Sequence, residues 1–450
     1  MPGIRLYGIR NRSGKEELMP KKVMIVLLTV IFASVVYATG VTETESEEVT
    51  IQIAYPVAID APVTEILDGY ARAFESEHPN VTVETIYSGG YGDVKTTIQT
   101  TIDGGGDAPT LAVMLATDLF DLANSQYIEP MTPMLDSMAG SEAYIADFLP
   151  AFLANSYYQD EMWSLPFQRS AVMLYYNADL FSEAGIAVPD SWEALGEAAA
   201  ALTVRNGDSV SRWGIEWPSG WPYWLFQPLA MGGGQNIVGE SDTEVYFDKP
   251  GVIDAIRFYI SLSSEYKATP PGVQAVWGNA VPDFVSGNTA MIVHSSGSLS
   301  KVLSQAPFKV GVMGIPGKQK GSSFSVPGGG NLYLVAGSSD AEKQAAFDFA
   351  VFLTEPSRAA DFSINTGYIA TSSSAFSDPA MKAYISENPQ AGESLEILAS
   401  AGKELSLQNL GQVRSIFHNY LQAAYNGDMT PEAAMQAAQK EADAALADFR

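Results

Sequence analysis

The stretch Trp163-Ser-Leu-Pro-Phe-Gln-Arg-Ser170-Ala-Val-Met-Leu-Tyr-Tyr-Asn177 constrains what this chain can fold into more than any other. Residues 171–176 form an unbroken apolar run of strand length, opened by Pro166 and closed by Asn177, and a strand apolar on both sides is buried on both faces. Such a strand belongs at the centre of a sheet. Directly after it, Leu180, Phe181 and Ala184 share one face of a short helix that stops at Gly185, where a residue without Cβ supplies a left-handed cap. Pro189-Asp190-Ser191-Trp192 then opens another helix, with Ser191 as its N-cap.

Upstream, Val49, Ile51, Ile53 and Tyr55 alternate as a strand, and Val63, Ile66, Leu67, Tyr70 and Phe74 recur at helical spacing before Val81 and Val83 alternate again. This β-α-β unit implies a parallel pair with a right-handed crossover. A second unit follows: a helix through Val94, Ile98 and Ile102, ended by Gly104-Gly-Gly106, then a strand over 111–115, with Thr117 placed to cap the next helix. Further on, the pattern predicts a helix opened by Pro250, a helix-turn-strand over 284–294, strands at 309–313 and 331–335, a helix over 339–353 and a last one opened by Thr430-Pro431. The 450 residues contain no internal repeat and no low-complexity linker, so discontinuous lobes joined by several crossings, and hence a hinge, are expected.

The first 38 residues read as a signal peptide: Lys21 and Lys22 precede fourteen mostly apolar residues, 23–36, and Val36-Tyr37-Ala38 offers a cleavage site. That run is shorter than the ~20 residues of a membrane span, so cleavage is expected rather than anchoring. Met19, just before it, is a second candidate start. Residues 42–48 are a polar, acidic leader. Loss of 1–38 removes six Lys/Arg and two Asp/Glu and moves the formal net charge from −27 to −31. So acidic a surface argues against nucleic-acid or anionic-membrane partners. The chain has no cysteine, which excludes a lipid-attachment cysteine at the cleavage site. A free, monomeric periplasmic protein is expected.

Catalytic and cofactor motifs are scarce. His78, His294 and His418 lie far apart without ligand-like spacing, so no metal site is expected. Ser298-Leu-Ser-Lys301 matches S-x-x-K without its companion motifs, and no phosphate loop of the G-x-x-x-x-G-K type occurs. Gly232-Gly-Gly234 and Gly328-Gly-Gly330 read as turns. A glycosidase-like carboxylate pair stays open, although nothing singles one out. Trp213, Trp217, Trp221 and Trp224 have helical spacing, but Pro218, Gly220 and Pro222 place them in a loop, as core lids or as stacking platforms.

The run W-x-L-P-F, then L-Y-Y-N-x-D-L-F-x-x-A-G-I and P-x-S-W, resembles the extracellular solute-binding proteins of bacterial ABC importers, in particular the glycerol-phosphate and sugar-binding branch. The resemblance implies an α/β, two-lobed, type II periplasmic binding protein, each lobe a mostly parallel sheet flanked by helices. It implies one lobe from 49–170 and 295–336, the other from 171–294 and 337–450, with a hinge between. It also implies a ligand site: Tyr91 in Ser88-Gly-Gly-Tyr-Gly, Ser170 before the crossing strand, Trp221 in S-G-W, Ser295 in His294-Ser-Ser-Gly-Ser-Leu299, Gly329, Tyr368 in T-G-Y, and Arg414 in Gln412-Val-Arg. Two positions depart from the branch. Ala116 stands where it has a ligand-holding glutamate, and Arg169 where a small polar residue is usual; strand alternation directs Arg169 away from Ser170 and out of the cleft.

The implied function is that of a receptor without catalysis or cofactor. It captures glycerol 3-phosphate or a related glycerophosphodiester or polyol and delivers it by lobe closure to permease subunits with their ATPase. A neutral mono- or oligosaccharide is the alternative cargo, and a secreted carbohydrate-active enzyme the alternative class.

Overall fold

Eight strands build the main sheet: β1 (Val49–Tyr55), β2 (Val81–Tyr87), β3 (Leu111–Leu115), β4 (Ile128–Glu129), β5 (Ser164–Asn177), β6 (Met291–Ser295), β7 (Val310–Met313) and β8 (Pro327–Val335). They are seen in a computed structural model that describes residues 48–59, 61–218, 221–272 and 276–450; the expected signal peptide, 1–38, lies outside the described residues. The strand order is β2-β1-β3-β8-β5-β6, with β4 paired to β8 and β7 to β5. Among the ladders of this sheet, parallel pairing, which the β-α-β pattern required, joins β1 with β2 and β3. The other ladders are antiparallel, so the sheet is mixed.

The strand read as central is central, and longer than the apolar run alone indicated. Fourteen residues long, β5 is buried from Ser164 to Tyr175. Its first half pairs with β8 and its second half lies between β6 and β7, so one strand passes through two neighbourhoods. Pro166 does not open it. Proline lacks an N–H, and Pro166 sits opposite Asn331 where the ladder with β8 shifts register, a place that tolerates a missing donor.

The helix signals hold locally. Gly185 takes the left-handed cap at φ 66° and Ser191 accepts from the Ala194 amide at 3.2 Å, while Asn177, read as the end of the strand, also caps the next helix by accepting from the Leu180 amide at 3.1 Å. Thr117 does not cap: it lies within a 3-10 turn, Ala116–Asp118, and its hydroxyl has no partner. Pro222 begins a helix rather than preventing one, occupying the first turn of Pro222–Gly232, where its missing N–H costs nothing. Gly328, Gly329 and Gly330 are not a turn but the start of β8. A Cβ on Gly328 would lie 2.4 Å from the Trp224 ring, and one on Gly329, at φ 93°, 1.9 Å from the Gln168 carbonyl oxygen.

Two large cores flank the crossing, and they divide the sequence differently from the expected lobes. One collects Ile51, Leu67, Phe74, Leu111 and Leu165 with Leu332, Phe349 and Phe362. The other collects Val172, Leu195, Leu225, Ile256 and Met291 with Leu405, Val413, Phe417 and Met435. Residues 345–353 together with Phe362 and Tyr368 therefore pack with the first core, while 405–446 pack with the second. The reason lies in the helix Asp340–Leu353: it leaves β8 directly and packs back on β1 and β8. The segment Leu299–Val312 packs with Met173 and Tyr175 in a further cluster, not with β1–β3.

Candidate ligand-binding site

Six of the seven expected residues, Tyr91, Ser170, Trp221, Ser295, Gly329 and Tyr368, line one cavity. Ala58, Ile59, Leu115, Tyr223, Trp224, Trp277 and Glu404 complete its wall. Arg414 is not on that wall but stands behind it. Its guanidinium carbon is 5.6 Å from the Tyr223 ring centroid and 5.9 Å from that of Trp221, and its Nη1 is buried without a hydrogen-bond partner.

Each wall residue is placed by the fold. Tyr91 is the first residue of the helix Tyr91–Asp103, and its hydroxyl donates to Gln168 Oε1 at 3.2 Å and lies 3.4 Å from that of Tyr368. Burial pushes the Tyr368 phenol up to about 12 and that of Tyr91 well above the usual range, so both stay neutral donors. Ser170 and Ser295 come from β5 and β6. Ser295 Oγ accepts from the Gly297 amide at 3.1 Å. Trp221 packs against both large cores and therefore stands where they meet. Trp224 is pinned by its indole N–H, which donates to the Pro327 carbonyl at 2.8 Å, and Trp277 stacks on His294 at 3.7 Å between centroids.

Arg169 is fully buried and absent from the cavity wall, as alternation with Ser170 predicts. It does not reach solvent either. Its Nη1 donates to the Gly329 carbonyl at 3.3 Å, its guanidinium lies 5.1 Å from the Phe152 centroid, and its Nη2 is 3.7 Å from Glu404 Oε2. Burial raises the Glu404 carboxyl to about 8, and burial also lowers the Arg169 guanidinium, so lost hydration outweighs attraction at both groups. Ala116 is buried after β3, and beside it Asp118, also buried, pairs with Lys95 at 3.0 Å. Burial raises Asp118 despite Lys95 and the nearby Arg414.

Tyr223, Trp224, Trp277 and Glu404 were not among the expected site residues. The tryptophans at 213–224 read equally as core lids or stacking platforms, and which rings face the cavity depends on Pro222 starting a helix. Glu404 had no signal, being one acid among 52.

The sequence profile of the bacterial extracellular solute-binding proteins matches residues 59–360, well over half of the chain. The chain belongs to that family. This solute-binding protein is 25% identical over 405 residues to the sn-glycerol-3-phosphate-binding periplasmic protein UgpB of Pectobacterium atrosepticum, covering 85% of this chain and 88% of the relative. It is 24% identical over 411 residues to the Escherichia coli K12 protein of the same name, covering 85% and 90%. Its fold is similar to that of UgpB from Mycobacterium tuberculosis in complex with glycerophosphocholine, at TM-score 0.78 and 21% identity, covering 88% of this chain and 99% of the other. A maltose/maltodextrin-binding domain from Bdellovibrio bacteriovorus bound to maltotriose aligns at TM-score 0.75 and 21% identity, covering 89% and 100%. The fold is thus that of the two-lobed periplasmic binding proteins.

Proposed function

We propose that the protein is the periplasmic receptor of an ABC importer, binding glycerol 3-phosphate or a related glycerophosphodiester between its two halves and presenting the closed form to the permease and its ATPase. The observation that carries this is the convergence of Tyr91, Ser170, Trp221, Ser295, Gly329 and Tyr368 on one cavity, with a buried, unpartnered Arg414 Nη1 behind two of its rings. A guanidinium with a free N–H is suited to a phosphate oxygen that reaches past the Trp221 and Tyr223 rings, and aromatic walls cover a small ligand's apolar edges. A ligand touching both halves binds the closed form better and shifts the population toward it.

The competing cargo is a neutral mono- or oligosaccharide, favoured by the density of rings and by Glu404 on the wall. Glycoside hydrolysis is disfavoured: it takes two carboxyl groups, and Glu404 is the one carboxyl on the wall among the described residues. Calorimetric competition of glycerol 3-phosphate and glycerophosphocholine against maltose and trehalose separates the cargoes. Arg414→Ala is expected to weaken a phosphorylated ligand about ten- to a hundredfold, the loss of one charged hydrogen bond. Unchanged affinity would remove the phosphate from Arg414.

A further inference from the structure

Glu404 carries the one carboxyl group on the cavity wall among the described residues, and once ionised it can only accept. The other polar groups there are hydroxyls and indoles, several already committed: Tyr91 to Gln168, Ser295 to the Gly297 amide, Trp224 to the Pro327 carbonyl. Buried carboxylates need donors. Glu404 Oε2 has no hydrogen-bond partner, and Arg169, its sole ion-pair partner among the described residues, stands 3.7 Å away, beyond hydrogen-bond reach.

The residue is also held firmly. Before it, the Lys403 carbonyl accepts from Gln227 Nε2 at 2.7 Å and Asn236 Nδ2 at 2.9 Å; after it, the Leu405 amide donates to Gln227 Oε1 at 3.1 Å. Leu405 and Leu407 are anchored in the second core, whereas Arg169 approaches from β5 beside the first. A fixed acceptor lacking its donor, on the wall of a ligand cavity, is a recognition element.

Resting on the receptor reading above, we infer that Glu404 determines specificity by accepting a hydrogen bond from a ligand hydroxyl, with Arg169 as the positioning residue behind it. Ala116 gives the cavity no carboxylate, and Glu404 supplies one from the other half of the molecule. The site thereby selects polyols or sugars over ligands of the same shape without hydroxyls. Because a ligand O–H favours the ionised carboxylate, and burial holds the empty site's carboxyl up to about 8, binding releases a proton near neutral pH. Among the groups facing Glu404, Tyr91, Tyr223 and Tyr333 are all raised and stay neutral and Arg169 stays charged, while burial raises the Asp118 carboxyl as well, so the proton is assigned to Glu404 by the variant below.

The test is calorimetry on the mature chain with paired probes: glycerol 3-phosphate against propyl phosphate, and maltose against its singly deoxygenated analogues, between pH 7 and 9. In the native protein at least one parent probe is expected to bind about tenfold to a hundredfold tighter than its deoxygenated partner and to release a proton. In Glu404→Gln, whose neutral amide oxygen accepts more weakly, the proton release disappears and the preference shrinks, the parent weakening more than its deoxygenated partner. Should Glu404→Gln fold poorly, the Arg169→Gln, Glu404→Gln double variant removes both buried charges and is expected to show the same reduced preference. Equal weakening of parent and analogue, or no change in the preference, would make Glu404 a structural ion-pair partner and overturn the inference alone. Failure of both parents to bind the native protein would overturn the cargo reading, and the inference with it.

Discussion

At Arg169 and Glu404 two ionisable groups lie out of water, and each makes the other tolerable. Well above pH 8, where Glu404 is ionised, removing Arg169 strands a buried carboxylate, so Arg169→Ala is expected to cost about 3–5 kcal/mol in urea unfolding there and less at neutral pH. A loss under about 1 kcal/mol at the alkaline end would contradict the ion pair. The histidines set a second residue-scale expectation. Burial holds His294 down to about 3 and His418 to about 4, against about 6.5 unfolded. Their contribution is therefore complete above pH 6.5 and is lost as the pH falls toward 4, because the unfolded chain takes up protons that the fold refuses. His294→Asn is expected to flatten that acid decline in Tm; an unchanged slope would contradict the neutral, Trp277-stacked imidazole. Glu216 and Glu404, raised by burial to about 7 and about 8, act in the opposite sense and lower stability as the pH climbs from about 4.5 to 8.

The elements divide into those that announce themselves and those that neighbours impose. The helix Asp340–Leu353 begins with a complete capping box, Ser339 Oγ accepting from the Glu342 amide at 3.3 Å and Glu342 Oε2 from the Ser339 amide at 2.8 Å. Ser339→Ala should cost about 1 kcal/mol with no change in ligand affinity. Strand β8 is of the other kind. Its glycines look like a turn, yet they extend because Trp224, Gln168 and Tyr91 come too close for any side chain. Gly329→Ala should destabilise by about 2–3 kcal/mol and impair binding as well, since φ 93° and the Gln168 carbonyl both reject a Cβ. Near-native stability in denaturant titration would show that β8 yields more easily than its packing implies.

Ligand in hundredfold excess over Kd should add about 2.7 kcal/mol of stability if only the folded form binds, readable as a rise in Tm. Small-angle scattering should show a smaller radius of gyration at saturation; an unchanged profile would remove closure from the mechanism.

Local chemistry was legible in the sequence. The buried β5, the cap at Ser191 and the left-handed Gly185 depend on side chains within a few residues of one another, and the resemblance reached the six wall positions by motif. Tertiary structure decided the rest. The antiparallel ladders of β5 and β8, the docking of 340–353 on the first core, the register shift that admits Pro166, and the meeting of Glu404 with Arg169 join residues far apart in the chain. Local propensity carries no information about such partners, because burial and close approach exist only once the chain has folded back on itself.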